Sequence, residues 1–285
     1  MKEQNFIRII QEQTLSPFLG DDCAYIKELG IVVTQDNFIE DIHFKTNWAT
    51  PYQIGYKATA VNISDILASG AKPAYLSIGL SLPKNINENF IKDFYKGVEK
   101  ASYGAKIIGG DITGCDKIFI SITAIGKTKG RKISSRKHAK EGYVVIANGE
   151  FGQSSIGLKE LVDGKRSTPA IRAHLEPILS PSFSEDISTQ IKENYAMMDT
   201  SDGLADALFQ IAKASNVKII AKEINGMYGA EDYNLIACVP EGFLRKIKNY
   251  NVIGKVIAFD GYYLQINDKK YSKHEELNLF DHFNS

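Results

Sequence analysis

The sequence predicts an α+β fold built as two α/β domains, and three observations lead there. At 285 residues the chain is longer than a typical single domain. Short β-branched runs alternate with segments of helical spacing over most of its length. A basic stretch, 126–140, interrupts the alternation near the middle and places a boundary between domains at 1–130 and 131–285.

The elements follow in order. Residues 31–35 form a β-branched run ending at Asp36. Residues 53–70 carry Ile54, Ala58, Val61, Ile66 and Ala68 at helical spacing, with Gly70 as the stop. Residues 74–82 read as a strand, 88–103 as an amphipathic helix, 106–108 as a strand entering Gly109 and Gly110, and 118–125 as another strand. The stretch 126–140, with Arg131, Lys132, Arg136 and Lys137, reads as a solvated connection. Beyond it, strands are expected at 143–147, 196–198, 217–221 and 233–239, with a strand pair over 252–266. Helices are expected at 154–162, 185–193, 204–214 and 242–247.

Composition excludes several function classes. Formal net charge is zero, so no global positive field draws nucleic acid or anionic membrane, and any phosphate site must be local. No apolar run approaches the roughly 20 residues of a membrane helix, and the first residues lack a signal-peptide apolar region. Cys23, Cys115 and Cys238 form no CxxC pair and no zinc spacing, as expected of reduced cysteines in a cytoplasmic protein. There is no phosphate-binding GxxxxGK[ST] loop, because Ser121 stands where its first glycine belongs, and no GxGxxG, HExxH or EF-hand loop.

What remains is a set of aspartates in short apolar-flanked motifs: Asp22, Asp36, Asp65, Asp111, Asp199 and Asp202. Adjacent carboxylates at Asp21 and Asp22 repel unless a cation is present, although a solvated turn would also carry them. Asp36 at a strand's end, with Thr34 nearby, offers the hard oxygens that Mg²⁺ selects, or a turn or helix cap. Asp65 lies in a small, apolar helix, where an unpaired carboxylate is unfavourable, and Asn62 shares its face. Asp111 follows Gly109 and Gly110, which admit a ligand close to backbone or simply make a turn. Asp199 and Asp202 flank Ser201 between a strand and a helix start, and one of them could be the helix cap.

Seven segments then resemble, in order, the motifs of the thiamine-monophosphate kinase family, part of the aminoimidazole-ribonucleotide-synthetase-like (PurM-like) ATP-binding superfamily. They are GDDCA at 20–24, the segment 34–44 opening on Thr34-Gln35-Asp36 and closing on His43-Phe44, and 56–73 with its Asn62 and Asp65. The others are IGGDIT at 108–113, the basic loop 134–142, MDTSDGL at 198–204 and AEDYNL at 230–235. The resemblance covers nearly the whole chain and implies transfer of the ATP γ-phosphoryl group to thiamine monophosphate, giving thiamine diphosphate. It implies Mg²⁺ ligands at Asp22, Thr34, Asp36, Asp65, Asp111, Asp199 and Asp202, and nucleotide contacts at Tyr103, Gly110, Arg136 and Ser201. Substrate contacts follow at His43, Glu231 and the C-terminal aromatic Phe280, with a homodimer as the expected assembly. No side-chain nucleophile is implied, because the acceptor phosphate is already anionic and positioning dominates phosphoryl transfer. The chain departs from the family pattern at Gln35, Asp41, Gly114 and Glu176, and its stretch 221–231 is short. No reactive cysteine precedes the GDD motif, as selenophosphate synthetases would require.

Overall fold

The computed structural model describes residues 2–277 and 279. Helix α1 (Lys2–Thr14) leads into strands β1 (Ala24–Ile26) and β2 (Ile31–Ile39), helix α2 (Pro51–Ala68), β3 (Lys72–Leu82), α3 (Glu88–Ala101), β4 (Lys106–Gly114) and β5 (Phe119–Lys127). These strands make one sheet in the order β1-β2-β5-β3-β4. All its pairs are antiparallel except β3 with β4, which α3 joins as a crossover.

The second sheet takes β6 (Tyr143–Ala147), β7 (Ala196–Asp199), β8 (Val217–Ala221), β9 (Leu235–Pro240), β10 (Asn251–Ala258), β11 (Leu264–Ile266) and β12 (Lys269–Tyr271). Their order is β12-β11-β8-β10-β6-β9-β7. Helices α4 (Gln153–Val162), α5 (Pro169–Leu175), α6 (Pro181–Gln190) and α7 (Leu204–Ser215) complete the chain, with 3₁₀ turns at Arg136–His138, Glu241–Lys246 and His274–Leu277. No helix among the described residues is long and apolar enough to cross a membrane.

Helix α2 is the element both sheets share. Thr50 and Gln53 form a reciprocal capping box with Pro51 in the first turn, and Gly70, at φ 82°, ends the segment as its sequence position predicts. Every residue from Ile54 to Ala68 is buried except Asp65. A helix apolar all round is one packed on all sides, and α2 touches β2 and β5 of the first sheet together with β7, α5 and α6. Its contact with α3 is close because glycines face it: a Cβ on Gly55 would run into the Phe94 carbonyl, and one on Gly97 into that of Tyr52.

Period-2 alternation sorts the second sheet into two faces. Ile146, Leu235 and Val239 join the core around α2, whereas Val145, Ala147 and Ile236 join the core around α7. The first sheet differs, since its second face carries Gln35, Asn37, Ser77, Ser121 and Thr123, all half-buried or exposed. Strand β4 is exposed along its whole length, including Ile107, Ile108 and Ile112.

Several expectations need correction. β2 runs four residues beyond Gln35, so Asp36 sits inside a strand, not at its end. β4 runs through the glycines to Gly114, so Asp111 is a strand residue, not a turn. The two strands expected over 252–266 are present as β10 and β11 but do not pair with each other: β10 pairs with β6 and β8, and β11 runs parallel to β8. The expected helix 242–247 is a 3₁₀ segment, and the stretch 126–140 buries Thr128, Ser134 and Ala139 where solvent was expected. Helices α1 and α5 had no counterpart in the sequence reading.

Candidate active site

Three chain segments bring carboxylates to one place. Asp22 lies in the bend before β1, Asp65 projects from the last turns of α2, and Asp199 ends β7. One oxygen from each lies within 4.8 Å of the others. Asp36 on β2 stands beside them and acts on the charge of Asp65.

The neighbours that hold this cluster come from α2 and β2. Thr34 donates its hydroxyl to Asp65 Oδ2 at 2.6 Å, and Ser64 donates to Asp199 Oδ2 at 2.6 Å. The Asp36 N–H donates to Asn62 Oδ1 at 3.1 Å, while the Asn62 amide donates to the Ala58 carbonyl at 3.0 Å. Consecutive turns of one helix therefore position ligand atoms from both sheets. Neither Asp199 nor Asp202 caps α7, whose N-cap is Gly203 without a side-chain bond.

Like charges in a poorly solvated place resist ionisation. Burial, and then Asp22, push Asp36 up to about 6. Burial and Asp22 likewise push Asp199 up to about 7, against hydrogen bonds from Ser64 and Ser201. Asp65 is raised well above the usual carboxylate range by burial and by Asp36 and Asp199. A cation reaches this group in Arg136, whose guanidinium meets Asp22 Oδ1 at 2.8 Å. Burial opposes its charge, but Asp22, Asp199 and Asp206 hold it protonated. Its Nε is buried and finds no hydrogen-bond partner among the described residues. Asp21 has a separate task, accepting from the Arg136 N–H at 2.7 Å and the Ser135 hydroxyl at 3.1 Å to fix that loop.

The cluster forms the floor of a cavity of about 630 Å³. Asp36, Asp65, Asp199, Ser201 and Asp202 line it together with His43, Phe44, Trp48, Tyr228 and Glu231, and the charged Asp41, Lys45 and Lys159 also reach it. His43 accepts the Ile39 N–H on Nδ1 at 3.1 Å and lies tilted against Phe38. Behind Glu231 sit two buried residues without a sequence signal. Lys57 Nζ lies 3.2 Å from Glu231 Oε1 and 3.4 Å from both ring nitrogens of His174. Burial, reinforced by Lys57, pushes His174 down to about 4, keeping it neutral.

Not every expected residue arrives. Asp111 pairs with Gly79 on the edge strand, and Gly79 pairs in turn with Ser121 and Ser121 with Asn37, so Asp111 faces away from α2. Three strand spacings, about 14 Å, separate β4 from β2. Gly110 serves the strand itself, since a Cβ there would strike the Ile78 carbonyl. Tyr103 does not line the cavity; its hydroxyl accepts the Leu179 N–H at 3.2 Å. Phe280 lies outside the described residues.

Comparison with known proteins fits this arrangement. Residues 20–128 match the family described as AIR synthase related protein, N-terminal domain. A thiamine-monophosphate kinase of Bacillus subtilis is 35% identical over 74% of this chain and 69% of its own length. One from Pyrococcus horikoshii is 30% identical over 94% and 93%. The chain belongs to the thiamine-monophosphate kinase family. The solved structure of AaThiL complexed with AMPPCP and TMP superposes with a TM-score of 0.84 at 29% identity, covering 96% of each chain.

Within the family frame, three of the four departures find local reasons, and nothing in the structure explains Gly114. Asp41 has φ 67°, a left-handed position where glycine is ordinary and aspartate is tolerated, and it pairs with Lys117 at 2.8 Å. Gln35 points to the face opposite Thr34 and Asp36 and bonds Ser121 and Thr123. Glu176 accepts a bond from Gln53 at 3.0 Å.

The raised carboxyls make a stability prediction. Asp36, lifted from 3.8 to about 6, stabilises the fold when protonated, and that contribution is lost as pH rises through about 6. Without divalent cations, Asp36→Asn is therefore expected to be more stable than the parent at pH 8 by about 1–2 kcal/mol, discounted for partial exposure. The advantage should be roughly halved by pH 5, since the window runs from about 6 down to 3.8. Melting curves in EDTA at both pH values check this, and an equal difference at the two contradicts it.

Proposed function

We propose that this protein transfers the γ-phosphoryl group of ATP to the phosphate of thiamine monophosphate, giving thiamine diphosphate, and that it does so with Mg²⁺. The observation that carries this reading is the joining, in one cavity, of a buried carboxylate cluster with a polar and aromatic chamber. The likeness to the AaThiL complex with AMPPCP and TMP supports the choice of nucleotide and acceptor.

The donor set fits a hard divalent cation. Its carboxylate oxygens converge, and burial with mutual repulsion raises the proton affinity of Asp36, Asp65 and Asp199, a repulsion that a bound cation would relieve. Asp22, Asp36, Asp65 and Asp199 would hold Mg²⁺, with Thr34 and Asp202 beside them. Bound there, Mg²⁺ supplies the positive charge that lets two anionic phosphates approach. The rest falls to the chain's own residues. Arg136, with an unpartnered Nε, swings between Asp22 and the nucleotide phosphates. Ser201, between the two aspartates of its motif, contacts the nucleotide from the helix α7 side. His43 and Glu231 hold the acceptor in the same cavity, its phosphate toward the aspartates. The acceptor oxygen is anionic, so no side chain must remove a proton, and in-line positioning supplies most of the acceleration.

We further propose that residues 1–130 bind metal and nucleotide and pair two chains, that 131–285 complete the acceptor site, and that the protein works in the cytoplasm as a homodimer. The exposed apolar β4 and the polar face beside it suit a second copy. In such a dimer Gly110 and Asp111 would serve the partner's site.

Two outcomes test these readings. Purified protein given ATP, Mg²⁺ and thiamine monophosphate is expected to form thiamine diphosphate, and Asp199→Asn is expected to lose at least about 10²-fold in kcat, a typical scale for removed charge stabilisation. Absence of product with ATP binding intact removes the acceptor assignment, and near-normal turnover by Asp199→Asn removes that ligand. Light scattering is expected to give twice the 31.6 kDa chain mass, and Ile108→Glu the single-chain mass; a monomeric parent protein overturns the dimer.

A further inference from the structure

A lysine buried to 2% exposure in a helix packed on all sides requires a reason. Lys57 extends from α2 across to the second half of the chain, where Glu231 Oε1 lies at 3.2 Å. Its Nζ is equidistant, at 3.4 Å, from both nitrogens of His174. An ammonium so placed lies against the imidazole without favouring either nitrogen. The ring is fixed from its edge, with Nδ1 2.9 Å from the hydroxyl of buried Ser154. Lys57 is thus held between a carboxylate and an imidazole, and at 2% exposure it has almost no surface left for a ligand.

Glu231 is held as firmly as its partner. Its N–H donates to the Ser201 carbonyl at 2.7 Å, and its φ of 65° is left-handed, a strained conformation for a glutamate. The next residue, Asp232, accepts from the N–H of Gly152 and Ser154 at the start of α4. The Glu231 side chain keeps 27% of its surface, and that surface opens on the cavity. Backbone strain and a buried cation together aim one carboxylate edge at the chamber that the aspartates also line.

We propose that Lys57 is a positioning residue for the phosphate acceptor, acting only through Glu231, with the His174 ring as the wall that fixes its ammonium. The role rests on the acceptor reading above. Lys57 neither touches the nucleotide nor joins the aspartate cluster, so its removal changes recognition of the acceptor and leaves that of ATP alone. The recognised acceptor is a phosphate ester whose organic part presents a cation or hydrogen-bond donors to the Glu231 edge.

A double-mutant cycle tests this on the full chain, with ATP and thiamine monophosphate as substrates. Lys57→Met, Glu231→Gln and the double variant are each expected to raise the KM for thiamine monophosphate by a similar factor, about tenfold for a lost charged hydrogen bond. The KM for ATP should stay within about twofold in all three. Breaking a buried pair can unfold a protein. If Lys57→Met fails to fold, the double variant, which removes both charges, is compared with Glu231→Gln alone, and the two are expected to coincide. An unchanged acceptor KM overturns the proposal, as does a double variant whose effect is the product of two independent ones, or a rise in KM for ATP of equal size. A parent protein that does not phosphorylate thiamine monophosphate would instead remove the acceptor reading itself.

Discussion

Mutual repulsion among buried carboxylates is the constraint around which this molecule is arranged. Asp22, Asp65 and Asp199 come from a bend, a helix and a strand of the second sheet, and only folding brings them together. The arrangement is unfavourable in isolation, as the raised Asp36 and Asp199 record. Helix α2 makes it possible. Within three turns it supplies Lys57 to Glu231, Asn62 to the Asp36 backbone, Ser64 to Asp199, and Asp65 itself. Because the helix is packed by both sheets along nearly its whole length, those four polar side chains have fixed directions.

The cavity divides by chemistry. The aspartates, with Arg136 on Asp22 beside them, suit cations and phosphates, whereas the aromatic side chains with Asp41, Lys45 and Glu231 suit an organic, charged ring system. The two groups are tied through Glu231 and Ser201, whose backbones bond each other at 2.7 Å. A displacement of the 201–202 segment on ligand binding would therefore reach Glu231 directly. That coupling matters for a reaction whose rate depends on bringing two anions into line.

Much of this was legible in the sequence, for identifiable reasons. Asp65 stood out because a carboxylate in an apolar helix has few innocent explanations, and Gly70 because it ended a periodic segment. Lys57 lies in the same helix yet gave no signal, since its partners, His174 and Glu231, are more than 100 positions away. Arg136 sat in a run of basic residues whose composition suggested solvent; its burial depends on Asp22, brought close only by the tertiary fold. The pairing of β11 with β8 was hidden because non-local strand order has no local code. Asp111 was misplaced because a glycine pair reads equally as a turn or as the flat part of a strand.

The account turns on the carboxylate cluster exchanging protons for divalent cations. Calorimetric titration of Mg²⁺ at pH 7, in two buffers of different ionisation enthalpy, measures the protons released per ion bound. Carboxyls raised to about 6 and about 7 predict net release, larger at pH 6 than at pH 8. Binding with the same heat in both buffers, or no Mg²⁺ binding at all with nucleotide present, would contradict it.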